Sequence, residues 1–105
     1  KLETGIFSNC YSLEKVILSE NLKSIPHATF WNCTTLKFIV IPNTVQFVDN
    51  GAVYKCVDLE KINIPNSVKK ISFGQFMHCK NLNKIQWKEK NYTYQDLVEY
   101  NYFEV

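Results

Sequence analysis

Apolar side chains return along this chain on a fixed beat of 23 residues. A leucine stands at Leu13, Leu36, Leu59 and Leu82, and three residues later comes Val16, Ile39, Ile62 or Ile85. Two residues beyond lies Leu18, Ile41, Ile64 or Trp87. Further columns are Leu22, Val45 and Val68; Leu2, Ile25, Val48 and Ile71; and Phe7, Phe30, Val53 and Phe76. A cysteine column (Cys10, Cys33, Cys56, Cys79) and a small-residue column (Gly5, Ala28, Gly51, Gly74) keep the same interval. Self-similarity at this period predicts a solenoid whose coils bury their apolar side only against their neighbours.

The segment LKFIVIP at 36–42 shows how one coil is built. Leu36, Ile39 and Ile41 point inward, and the alternation among β-branched residues predicts a short strand. Pro42 ends it, because proline has no N–H for a ladder. The same strand is expected near 15–18, 61–64 and 84–87, so that coils in register form a parallel sheet with one strand per coil. Val45 and Val48, or Val68 and Ile71, follow at a spacing near three, which suits a second short strand or an irregular arc. The small residue is expected at a crowded or positive-φ corner.

Positions facing out of the strand are Lys15 and Ile17, Phe38 and Val40, Lys61 and Asn63, Lys84 and Gln86. Most are polar, as a solvated sheet face should be. Ile17, Phe38 and Val40 break that rule and should be adjacent, giving an exposed apolar cluster with a basic rim. Such clusters mark recognition surfaces; the competing reading is a face covered by another segment, or a register one residue off. A second exposed stripe is expected through Trp31, Tyr54 and Met77, which shields the neighbouring coil or stacks on sugars. Phe47, at the position of Ser24 and Lys70, is a candidate extension of the apolar patch.

After Trp87 the beat stops. Residues 88–90 read as a polar turn. Thr93 with Asp96 resembles a capping box, and Tyr94, Leu97, Val98 and Asn101 or Tyr102 then share one face of a short helix. The expected role is a cover for the open end of the stack, with a tyrosine-rich binding patch as the alternative. The other end has no such cover and is a candidate for self-association. Leu2 already occupies a repeat column, so the chain is expected to be part of a longer array.

Composition adds mostly exclusions. A length of 105 residues fits one domain, and a net charge of +2 comes from dispersed lysines with no arginine. That is unlike a nucleic-acid groove, which needs clustered Lys and Arg with stacking aromatics. No apolar run has the length of a membrane helix. The cysteines lack the close pairs of a zinc knuckle. Equivalent Cα atoms in stacked coils would lie about 4.8 Å apart, within reach of a disulfide. Parallel side chains, however, keep the Cβ atoms near that same distance rather than the usual ~3.8 Å. Buried free thiols are therefore expected, packing as small hydrophobes. His27 and His78 sit at different phases of the repeat with no relay partner, so no catalytic, metal or cofactor site is assigned. Asn32-Cys-Thr and Asn91-Tyr-Thr match the short glycosylation pattern.

The run A-x-F-x-x-C-x-x-L-x-x-I-x-I-P-x-x-V-x-x-I, best seen in CTTLKFIVIPNTVQFV and CVDLEKINIPNSVKKI, resembles the BspA-type leucine-rich repeat. Departures are Ser19 for the first proline, Val53 for a phenylalanine, and Thr29 and Gln75 for the small residue before it. All four are expected to weaken single rungs without changing the frame. The resemblance implies a leucine-rich-repeat solenoid, mainly β, with about four coils over 1–87, the first incomplete, and a short helical cap over 88–105. It also implies a cell-surface or secreted, non-enzymatic module that adheres to a protein or glycan. The expected surface is the strand face of Lys15, Ile17, Phe38, Val40, Lys61 and Asn63. Alternatives are a structural spacer in a surface protein and an intracellular leucine-rich scaffold.

Overall fold

The computed structural model describes residues 5–100 and the backbone of 102–104, so the assignments made for Leu2 and Asn101 lie outside the described residues. The hydrophobic columns meet in one continuous core that includes Ile25, Phe30, Leu36, Val45, Leu59, Ile71 and Ile85, all fully buried. Cys33, Cys56 and Cys79 are buried in it, while Cys10 and Leu13 are only half-buried. The second repeat covers those two on one side.

The repeats contribute short strands to two arcs. The first arc carries β1 (Lys15–Ile17), β3 (Phe38–Val40), β5 (Lys61–Asn63) and β7 (Lys84–Trp87). The second carries β2 (Ser24–Ile25), β4 (Phe47–Val48) and β6 (Lys70–Ser72). Central residues of the first arc point into the core and their neighbours point out, as alternation requires. β1 pairs in parallel with β3, β2 with β4 and β5 with β7, each with partners 23 residues apart. One continuous ladder was the expectation, and here the structure differs: β3 and β5 run side by side without strand pairing.

A third arc, running through the phenylalanine and cysteine columns, bridges that joint. The N–H groups of Ala28, Phe30 and Asn32 donate to the carbonyls of Gly51, Ala52 and Tyr54 at 3.0, 2.8 and 2.6 Å. Equivalent bonds link Gly5, Phe7 and Asn9 to His27, Thr29 and Trp31. Gly51, Val53 and Lys55 donate likewise to Gly74, Gln75 and Met77. Two left-handed corners set the arc. One is the small-residue column, with Gly51 at φ +72° and Ala28 at +62°. The other, unforeseen, is Asn9, Asn32, Lys55 and His78 at φ between 56° and 64°. Asn is among the residues best suited to that region. Gly74 departs from its column, lying in a 3-10 turn (Phe73–Phe76), where crowding explains it: an added Cβ would come 2.7 Å from Asn50 Oδ1.

The thiols are free, and each buried one has a polar task. Cys33 donates to the Phe7 carbonyl at 2.9 Å, Cys56 to that of Phe30 at 3.1 Å and Cys79 to that of Val53 at 3.1 Å. Burial pushes the Cys33 thiol up; contact with the Cys79 thiol and burial push the Cys56 thiol up. Thr29 and Gln75 do not weaken their rungs. Thr29 Oγ1 donates to the Pro26 carbonyl at 2.8 Å. Gln75 Nε2 donates to the carbonyls of Val48 and Lys70, and its Oε1 accepts from the Ser72 N–H. Buried side chains paired this fully avoid the desolvation cost of polar burial.

Beyond β7 the chain reverses. The expected turn at 88–90 tightens to two residues, Lys88 and Glu89, both with positive φ as the hairpin twist demands. Lys90 therefore already belongs to β8 (Lys90–Tyr92), antiparallel to β7. Thr93 and Asp96 exchange reciprocal hydrogen bonds of 2.9 and 3.0 Å at the start of α1 (Tyr94–Tyr100). Leu97 is buried and Tyr94 packs on Phe73, but Val98 is 46% exposed and not part of the inward face. Tyr102 is not helical: it opens β9 (Tyr102–Glu104), antiparallel to β6. Trp87 fills its rung, with the indole N–H donating to the Val68 carbonyl at 2.9 Å.

Two outcomes follow from this packing. Leu59→Ala should lower unfolding free energy by about 2–5 kcal/mol in a denaturant titration; a loss within about 0.5 kcal/mol, as for a surface site, would remove Leu59 from the core. Cys33, Cys56 and Cys79 should react with a thiol reagent only after unfolding, since reactivity needs an exposed thiolate. Rapid modification of all of them in the native protein would contradict the buried ladder.

Candidate binding surface

The outward positions of the first arc come together as the alternation requires. Register places Lys15 beside Phe38 and Ile17 beside Val40. Ile17 is 67% exposed, Phe38 49% and Val40 47%. On the other side of the unpaired joint, Lys61 lies beside Lys84 and Asn63 beside Gln86. All four are exposed. A shallow depression of about 280 Å³ spans the joint, lined by Phe38, Val40, Lys61, Asn63, Lys84 and Gln86 among others. The unpaired joint thus coincides with a recess that puts an aromatic ring and two lysines on one floor. Glu14 and Lys37 form an exposed ion pair of 3.9 Å at the margin, worth little in stability.

Phe47 does not extend this patch. It is on β4, paired with Ser24 of the second arc, and lines a different depression, near Lys69. For Trp31 and Tyr54 the aromatic stripe follows its shielding reading rather than the sugar-stacking one. Trp31 and Tyr54 stack face to face with centroids 3.7 Å apart, and both are half-buried, so they spend their faces on each other. The edge of His78 meets Tyr54 at 5.3 Å, and His27 tilts onto Trp31 at 5.6 Å. Repeat phase separates the two histidines, and folding places them at opposite ends of one ring stack. The spacing His27–Trp31 and Tyr54–His78 held that signal, but only knowledge of the corner's backbone turns makes it readable.

Asn32, in one of the glycosylation-like triplets, has its amide donating to Asn9 Oδ1 and the Tyr11 hydroxyl at 3.1 and 3.2 Å. Among the described residues no group of three or more His, Cys, Asp or Glu is placed to hold a metal ion. No helix among them is long and apolar enough to cross a membrane. What the surface offers is apolar contact area beside ammonium groups.

No curated protein matches the chain. Among solved structures, it is similar to a leucine rich cell surface protein from Faecalibacterium prausnitzii A2-165, with 26% identity and a TM-score of 0.58. The match covers 85% of this chain and 30% of that one, so the chain spans less than a third of its structural relative. The repeated strands and core columns agree with the match of residues 1–102 to six copies of the BspA type leucine rich repeat region, and the chain belongs to that family.

Proposed function

We propose that this chain is a non-enzymatic adhesion module of a cell-surface or secreted protein, binding a protein or glycan through the exposed face of the first strand arc. In this reading the repeats of 1–87 stack as a solenoid, and residues 88–105 cap its last rung. The observation that carries it is the adjacency of Ile17, Phe38 and Val40, all about half exposed or more, on a surface where the other rungs are polar. Exposing such a cluster is unfavourable in water, and recognition is the usual compensation. Lys15 and Lys61 at its rim would steer an acidic partner and fix its register. Membership of the BspA-type family and likeness to a cell surface protein support the placement.

The test is a binding screen against matrix proteins, cell-surface proteins and glycans, run beside a folded Phe38→Asp/Val40→Asp variant. A ligand should bind the native chain and lose at least roughly tenfold in affinity with the variant, as for a hot-spot loss. Raised ionic strength should slow its association, because the lysine rim is exposed to screening. A ligand that the variant holds equally well would move recognition off this face. A chain that captures nothing would favour the spacer.

A further inference from the structure

We propose that the depression beside Phe47, on the second strand arc, is a separate binding site for a sugar that carries a carboxylate. Phe47 is 52% exposed, although its neighbour across the ladder is Ser24. The Lys69 ammonium stands over the ring, 5.8 Å from its centroid. Around them Gln46, Asp49, Asn50 and Lys70 line a recess of about 450 Å³, within the roughly 300–1,000 Å³ of small-molecule sites.

The floor of the recess is fixed. Buried Gln75 donates to the Val48 and Lys70 carbonyls at 2.8 and 2.9 Å. The Asp49 N–H donates to the Ile25 carbonyl at 2.9 Å, and the His27 ring nitrogen lies 2.7 Å from the Asn50 carbonyl. Backbone polar groups of the floor are thus engaged within the protein, and exposed side chains present the chemistry.

That chemistry has three parts, and one ligand class uses all of them. The exposed Phe47 ring accepts the C–H face of a pyranose once the Lys69 ammonium, which stands over it, swings aside. The Asp49 carboxylate and the Gln46 and Asn50 amides accept or donate hydrogen bonds to ring hydroxyls. The displaced Lys69 ammonium, on a flexible side chain at the margin of the ring, takes a carboxylate in a charge-assisted bond. A neutral sugar leaves the ammonium unused, and a simple carboxylate leaves the ring and amides unused. This site shares no lining residue with the depression at Phe38, so it stands independently of the reading above.

Ligand-observed NMR on the chain with glucuronate as probe, and glucose and acetate as controls, tests the proposal. Glucuronate should bind, with glucose and acetate roughly tenfold weaker or more. Phe47→Ala and Lys69→Gln should each weaken glucuronate by about the same factor, while Phe47→Tyr and Phe38→Asp/Val40→Asp retain it. Both side chains are exposed, so unchanged melting temperatures certify the variants. Absence of glucuronate binding, acetate binding as well as glucuronate, or full binding by both weakened variants would overturn the proposal.

Discussion

Backbone hydrogen bonds handed from one repeat to the next are the constraint on which this structure depends. On the phenylalanine–cysteine arc, three N–H groups of each donor repeat reach carbonyls of the following one. The arc carries buried side chains, so its polar groups must pair within the protein. Only a constant repeat length keeps donors opposite acceptors and core columns opposite each other. The left-handed corners at both ends of the arc turn the chain so that this hand-over is possible. The cysteines belong to the same arrangement: their S–H groups point back toward the preceding repeat and occupy carbonyls that the forward bonds leave available. This accounts for a free thiol where a methyl or second sulfur would fill similar space.

Much of the architecture was legible because it depends on side-chain volume and periodicity. Leu36, Ile39 and Ile41 could be assigned to the interior from spacing alone, and Thr93 with Asp96 announced a helix start. What was not legible depends on contacts between segments unrelated by the repeat. The pairing of β9 with β6 joins residues whose sequence carries no common pattern. Gln75 looked like a damaged rung because its partners are backbone carbonyls, which every residue type possesses. Of the candidate site, the exposure of Ile17, Phe38 and Val40 followed from alternation. The recess across the unpaired β3–β5 joint did not, since sequence repeats say where strands lie but not how closely two of them approach.

The division between core and surface also explains why function is harder to read than fold in this chain. Inward columns are restricted by packing, which tolerates little change in volume. Outward positions of the strands face no such packing restriction, and lysine, asparagine, phenylalanine and valine all stand there. Departures from polarity at those positions are therefore informative in a way that core leucines are not. The ring at Phe47 and the cluster at Ile17, Phe38 and Val40 are departures of this kind on different arcs.

The two tryptophans occupy contrasting places in the stack. Trp87 is buried at the end of β7 with its indole N–H on a carbonyl, whereas Trp31 is half-buried against Tyr54 where the second and third repeats meet. Their fluorescence should differ in colour, the sealed indole emitting to the blue of the other. The chain thus carries a built-in pair of optical reporters, one for the joint of the second and third repeats and one for the rung of β7. If the repeats melt one after another, as in a stack joined only between neighbours, the two colours will change separately; if they give way at once, the colours will change together.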